Sequence, residues 1–549
     1  MRAQAQWTPW AWAALILASA AILLVPALYN GFPLLFPDTD TYLKVAYGHE
    51  WTLDRSGFYG FWLKPIVTPM SGTAGLWTAV FVQASLIAGI LALVARRLVP
   101  RLTPVQCFGL IGVVALLTSL AWHAGQLMPD AFTGPLILLT WLVASRDIEA
   151  AGTPLLWLAA GALALFHYTH LGLFAVAAGT TLLFNAFAHV TLREIAKRAL
   201  AAILVILAVA SAHIAVYGLY FDRWSVSPMG SWFLFARLHE DGLAEDYMDR
   251  HCGRDAPAEL CAIRARLPRD SQVLLWSETS PLYPYIQNQI GSKTYWHWSD
   301  MMGEVVSGSI REEPLRFLRN SVGATFRQFV HFQTMDDQCP AQCHSQTLIQ
   351  FRPDAKLPVQ SSRQLRDAMP KATIRTLDTI VEILGLLLLV PAFVVARRMR
   401  DADAQALLVT ITVCLFANAA VSGALSAVND RYQSRVVWLA AFSVAGATLT
   451  GDGVARAGLV SGASVFGLLD LDGATGPEAG GAAGAGAAAG AGTACETTAT
   501  GAAAGAAAAA SLAAFAAALA SLSRVDFRIA FSFVSVFKPS AGSDPWRPF

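Results

Sequence analysis

Charge is scarce in this chain. Asp, Glu, Lys and Arg make up only 14% of its 549 residues, where a soluble globular chain carries roughly a quarter. No basic patch is present and the net charge is +1, which leaves nucleic acid out as a partner. The centres of the apolar runs are mostly uncharged, and no pair of repeated halves is visible. Both absences weigh against a transporter or flippase. What fills the chain is apolar: 55% of it is hydrophobic and the mean hydropathy is +0.48. Runs of about 20 apolar residues recur, the length that crosses a bilayer. The composition predicts an all-α polytopic membrane protein.

The apolar runs predict spans at 11–30, 74–95, 103–121, 131–146, 154–168, 170–190, 199–220, 376–396, 404–424 and 435–450. That is about ten transmembrane helices. The first reads as an uncleaved signal anchor, being too long for a signal-peptide core. Arg2, Arg96, Arg97, Arg101, Arg146, Arg193, Lys197, Arg198, Arg397, Arg398 and Arg400 all flank spans. With a cytoplasmic N-terminus every one of these clusters lies in the cytoplasm, as the positive-inside rule asks. The bacterial inner (plasma) membrane is the expected location. Four units follow: a 1–220 bundle with an acidic first outer loop, a 221–375 extracytoplasmic domain between spans 7 and 8, C-terminal helices over 376–454, and a 455–549 tail. The tail is Ala/Gly/Thr-rich and cannot bury enough apolar surface to order itself. Its abrupt onset fits a frameshifted reading of a GC-rich gene end.

Cysteine is sparse and unevenly placed. Cys252, Cys261, Cys339 and Cys343 all fall in the outer domain, where an oxidising compartment predicts one or two disulfides. A zinc site from Cys339, Cys343 and His344 is the lesser alternative. Cys107 and Cys414 fall inside spans and read as small buried apolar residues.

Candidate chemistry gathers at the outer ends of the spans. The first outer loop carries Phe36-Pro37-Asp38-Thr39-Asp40-Thr41-Tyr42. Asp38 and Asp40 can share a divalent cation such as Mg or Mn, or one can act as general base. The structural alternative is that Asp38 caps a short helix. Arg55 follows in the same loop as a candidate phosphate ligand or a headgroup-level arginine. Asp130 in Met128-Pro129-Asp130 is either a second acidic position or a helix cap. His167 and His170 can lie on one helical face and hold a phosphate or metal, or serve structure alone. In Asp430-Arg431-Tyr432-Gln433-Ser434-Arg435 the two outward arginines suit a lipid phosphate. Ion pairs of the type Asp430–Arg431 or Asp38–Arg435 are the alternative.

Taken together, these motifs resemble the polyprenyl-phosphate-sugar-dependent glycosyltransferases of the GT-C class. "PDTDTYL" at 37–43 looks like their first-loop acidic motif and "MPD" at 128–130 like their second acidic position. "DRYQSR" at 430–435 is similar to an Arg-Tyr element that opens a late helix. Two departures stand out: the soluble domain is internal rather than C-terminal, and no proline follows the Arg-Tyr element. The resemblance implies a membrane glycosyltransferase that moves a sugar from a polyprenyl-phosphate donor to an envelope acceptor on the outer face. Asp38, Asp40 and Asp130 would be its catalytic residues. Arg55, His167, His170, Arg431 and Arg435 would bind the substrate phosphate, with membrane lipid as the surrounding partner. Competing readings are a lipid or solute transporter and a non-catalytic membrane scaffold.

Overall fold

A computed structural model of the chain describes residues 7–48, 50–146, 150, 152–188, 190–287, 290–335 and 346–449. Cys339, Cys343 and His344 lie outside the described residues, as does the 455–549 tail. Among the described residues each predicted span falls largely on helix, the 103–121 span being broken at an extended Thr118, and no strand occurs. Among the described residues five helices are long and apolar enough to cross a membrane: Ala74–Leu98, Tyr168–Phe187, Leu192–Phe221, Lys371–Arg398 and Ala402–Leu425. Pro9–Leu23, Pro104–Leu117, Pro129–Ala144 and Thr153–Leu165 are apolar but shorter.

Local sequence sets the helix starts. Thr8 caps Pro9–Leu23, with Pro9 in the first turn where its missing N–H costs nothing. Thr103 and Gln106 form a reciprocal capping box before Pro104–Leu117. Thr191 accepts from Glu194 N at the start of Leu192–Phe221.

Burial is inverted relative to a soluble bundle. Only 17% of the apolar window in Leu192–Phe221 and 28% of that in Lys371–Arg398 is buried. Leu200, Ile203, Leu204 and Leu207 face outward on the first, and Ile380, Leu384, Leu387 and Leu388 on the second. Such surfaces suit lipid rather than water. Small residues let the helices close on one another. A Cβ on Gly385 would sit 2.8 Å from Ala441 N, and one on Gly134 would sit 2.4 Å from the Trp438 ring.

The two ends of the bundle differ. At one end Arg97 pairs with Asp403 at 3.0 Å, Arg198 donates to Ala144 O, and Trp7 donates to Leu102 O. The helix ends that carry Arg97, Arg198 and Arg397 thus meet neighbouring helix ends at this side of the bundle. At the opposite end the chain leaves the first helices at Gly31, whose φ of 80° favours glycine. Leu34 and Gln126 then form an isolated parallel bridge, with Leu34 N on Gly125 O and Leu127 N on Leu34 O, both at 3.0 Å. This stitch ties the Asp-x-Asp loop to the Met-Pro-Asp turn.

A second apolar cluster stands over that end. Helices Gly230–Glu240, Leu243–His251, Ser271–Trp276 and Lys293–Glu312 close around Trp232, Phe235, Leu274, Tyr295 and Met302. Leu53 of the first loop and Tyr217 of a long apolar helix belong to the same cluster. Cys252 and Cys261 form a disulfide here. Cys107 and Cys414 are free and buried.

Candidate functional site

Asp38 occupies the N-cap position of the short Thr39–Leu43 helix, yet its side chain makes no cap bond. Its carboxylate bridges two arginines instead. Oδ1 accepts from Arg55 Nη2 at 2.8 Å, and Oδ2 accepts from Arg431 Nη1 at 3.0 Å. Burial alone would raise this carboxyl, but the two guanidiniums outweigh it and hold it at about 2. Thr39 ties the helix start to its surroundings. Its hydroxyl accepts from Phe36 N and donates to Leu127 O.

Asp130 likewise is not a cap. Its Oδ1 accepts from Arg435 Nη1 at 2.7 Å, with both side chains fully buried. Burial pushes this carboxyl up, but Arg431 and Arg435 together hold it well below the usual carboxylate range. Arg435 also donates to Asn418 Oδ1 at 3.0 Å and Thr169 Oγ1 at 3.3 Å. The observed ion pairs are thus Asp38–Arg431 and Asp130–Arg435, not the Asp430–Arg431 or Asp38–Arg435 combinations. Arg55 donates further to Asp54 O and lies beneath Phe233 and Trp276 of the second cluster.

Near these pairs sits Tyr42, to which the sequence motif assigns no role. The residue is fully buried and its hydroxyl has no hydrogen-bond partner. Burial raises the phenol well above its ordinary value, and Asp38, Arg55, Asp130 and Arg431 all act on it. Gly60 makes room nearby, because a Cβ there would lie 2.6 Å from Tyr42 O.

Asp40 does not join this cluster. Two helical positions after Asp38, it projects from another side of the turn, toward the Gln346–Phe351 helix. Oδ2 accepts from Thr347 N at 3.4 Å, while Oδ1 is buried and unpartnered. Burial pushes its carboxyl up to about 6, against the smaller opposing effect of the Thr347 N–H. The Asp-x-Asp carboxylates therefore address different neighbours. Among the described residues no group of three or more His, Cys, Asp or Glu side chains is placed to hold a metal ion.

The histidines are built in. His170 is fully buried, its Nδ1 donating to Leu163 O at 2.8 Å and its Nε2 facing Thr133 Oγ1 at 2.9 Å. A carbonyl only accepts, so Nδ1 carries the proton and Nε2 accepts. Both nitrogens are occupied, which leaves none for a phosphate. His167 caps the Tyr168–Phe187 helix by accepting from Thr169 N.

A second polar network lies next to the first and was not expected. Glu382, buried within the Lys371–Arg398 helix, accepts from Ser119 N at 3.0 Å. Ser119 Oγ lies 2.6 Å from Glu382 Oε1 and 2.6 Å from Ser434 O. Ser434 in turn meets His123 Nε2 at 3.1 Å. Burial pushes the His123 imidazole down to about 4, so it is neutral at pH 7. Asp378, one turn before Glu382, is also buried. The available signal was an acidic pair at i, i+4 inside a helix otherwise apolar enough to cross a membrane.

The chain matches no protein-family model, no curated protein and no solved structure in the comparisons made.

Proposed function

We propose that the cluster around Tyr42 is the phosphate-handling centre of a membrane glycosyltransferase, which takes a sugar from a polyprenyl-phosphate donor. The observation that carries this is convergence. Asp38 and Arg55 of one loop, Asp130 of a second and Arg431 and Arg435 of a third are joined in ion pairs, and Asp38, Arg55, Asp130 and Arg431 all act on the unpartnered buried Tyr42 hydroxyl. The direct contact between Asp38 and Arg431 spans 393 positions of sequence. Buried charge held from so many segments is costly unless it serves a ligand or a lock.

Charge balance suggests how the site would work. Three guanidiniums, Arg55, Arg431 and Arg435, face three carboxylates, Asp38, Asp54 and Asp130. An entering lipid phosphate has no surplus positive charge to meet, so it must take an arginine from a carboxylate. Asp130–Arg435 is the more deeply buried pair, and Asp38 is the accessible partner. Phosphate on Arg431 and Arg55 releases Asp38, whose carboxyl rises toward its ordinary value and becomes a base. The acceptor hydroxyl gives its proton to Asp38 as its oxygen bonds the anomeric carbon. The bond from that carbon to the phosphate oxygen breaks, and the arginines and the Tyr42 hydroxyl stabilise the leaving phosphate.

The membrane reading extends the same way. About ten spans, a cytoplasmic N-terminus and the bacterial inner membrane place the basic helix ends inside and this cluster outside. The test is mass spectrometry of envelope glycans and glycolipids in cells lacking the gene. Loss of a sugar mass, restored by wild type but not by equally expressed Asp38→Asn, is the expected result.

Asp378 and Glu382 favour a second reading, proton-coupled transport, because carboxylates within a membrane helix commonly serve ion pathways. Under that reading, uptake by proteoliposomes follows a pH gradient and fails in Glu382→Ala.

A further inference from the structure

Away from the Tyr42 cluster an open cleft of about 430 Å³ lies between the Gly230–Glu240 and Pro314–Val330 helices. Arg319, Gly323 and Arg327 recur at i, i+4 and i+8, so they share one helical face. Gly323 keeps that face open, since a Cβ there would meet nothing nearer than Arg327 Nη1 at 3.8 Å. Across the cleft Arg237 is 1% exposed; its Nη1 and Nη2 are the atoms that face carboxylates, and its buried Nε has no hydrogen-bond acceptor. It forms ion pairs with Asp241 and, at 3.3 Å, with Glu240. Arg319 and Arg327 are exposed, and among the described residues neither has a carboxylate at ion-pair distance. Three arginines against two carboxylates leave one positive charge.

The setting is a boundary between polar and apolar surroundings. At its start the Pro314–Val330 helix holds Arg316, paired with Asp246 and Glu313. Toward its end Phe329 stacks on Phe416 of the Ala402–Leu425 helix at 4.3 Å. Phe326 and Val330 beside the arginines are exposed large apolar side chains. A helix face with arginines among bare Phe and Val suits a membrane interface.

We propose that this cleft binds a phosphate group carrying a single negative charge. Arg319 and Arg327 contact its oxygens in the fork geometry guanidinium offers, and Arg237 Nε supplies one buried donor at the base. Two sources share that chemistry: the phosphodiester headgroup of an anionic lipid, with its chains along Phe326 and Val330, and free inorganic phosphate. The inference does not rest on the sugar-transfer reading.

The test is native mass spectrometry of the full chain in detergent, titrated with phosphatidylglycerol, phosphatidylcholine or inorganic phosphate. Four proteins are compared: wild type, R319Q/R327Q, Gly323→Leu, and R254Q/R266Q, which removes the same charge from another exposed surface. We expect R319Q/R327Q to weaken the tightest adduct about tenfold or more. Gly323→Leu should do likewise with every charge intact, while R254Q/R266Q leaves it unchanged. An adduct with phosphatidylglycerol that inorganic phosphate does not displace identifies a lipid headgroup. A phosphate adduct without a lipid one identifies the free anion. Equal affinity in wild type, R319Q/R327Q and Gly323→Leu for every probe overturns the proposal, as does an equal loss in R254Q/R266Q.

Discussion

A carboxylate that bridges two guanidiniums has both oxygens occupied before any substrate arrives. Asp38 is in that position, and its role turns on whether a phosphate can take its partners away. Its depressed carboxyl contributes stability that is full above its unfolded value near 3.9 and is lost as pH falls toward about 2. Asp40 has the opposite sign. Its carboxyl is raised to about 6, so the fold favours the protonated form and loses stability as pH climbs from about 4 to 6. Asp40→Asn should therefore flatten the pH dependence of thermal unfolding across that window, whereas Asp38→Asn should leave that window as it is. Tyr42 gives a cleaner separation of structure from chemistry. Its hydroxyl is buried without a partner, so Tyr42→Phe removes an unsatisfied group. The melting temperature should hold or rise while sugar transfer falls; transfer unchanged in Tyr42→Phe would take the phenol out of the mechanism. Asp38, Asp130, Arg431 and Arg435 were legible in the sequence because polar residues at the ends of apolar runs are conspicuous. Tyr42 was not, because an aromatic in a short helix looks like core.

Helix contacts at this end of the bundle are set by small residues and by one stitch. Gly60 allows the Phe58–Val67 helix to reach the backbone of Tyr42, and Gly385 allows Lys371–Arg398 to reach Ala441. Gly385→Leu should force those two helices apart and lower the yield of folded protein in gel filtration. Gly89→Ala, where a Cβ meets only one methyl at 4.0 Å, should not. Breaking the buried Asp130–Arg435 pair with Asp130→Asn should cost about 3–5 kcal/mol, because it strands a guanidinium in an apolar setting. Part of that loss should return in Asp130→Asn/Arg435→Gln, and thermal unfolding in one detergent measures both. Helix positions were readable from apolar runs and capping signals such as Thr103 with Gln106. The divergence of Asp38 and Asp40 was not, since it depends on which face of the Thr39–Leu43 turn meets the Gln346–Phe351 helix. Glu382 was missed for the reverse reason: two acids four residues apart, Asp378 and Glu382, are easily averaged away in a long apolar run.

At the scale of the whole molecule, two ends of different character face opposite ways. One carries the helix ends of Arg97, Arg198 and Arg397, and the other gathers the ion-paired cluster under an aromatic cover. The basic ends were legible from the sequence; their common placement rests on contacts such as Arg97–Asp403, which joins residues 306 positions apart. The central claim is that the cluster acts on a phosphate and is not merely a lock. The most direct test measures sugar transfer from a polyprenyl-phosphate donor and the melting temperature of Asp38→Asn in the same proteoliposome preparation. The account predicts kcat lower by at least about a hundredfold, donor KM no higher than wild type because the arginines are already free, and a folded protein. Full turnover by Asp38→Asn, with only its melting temperature reduced, would contradict it.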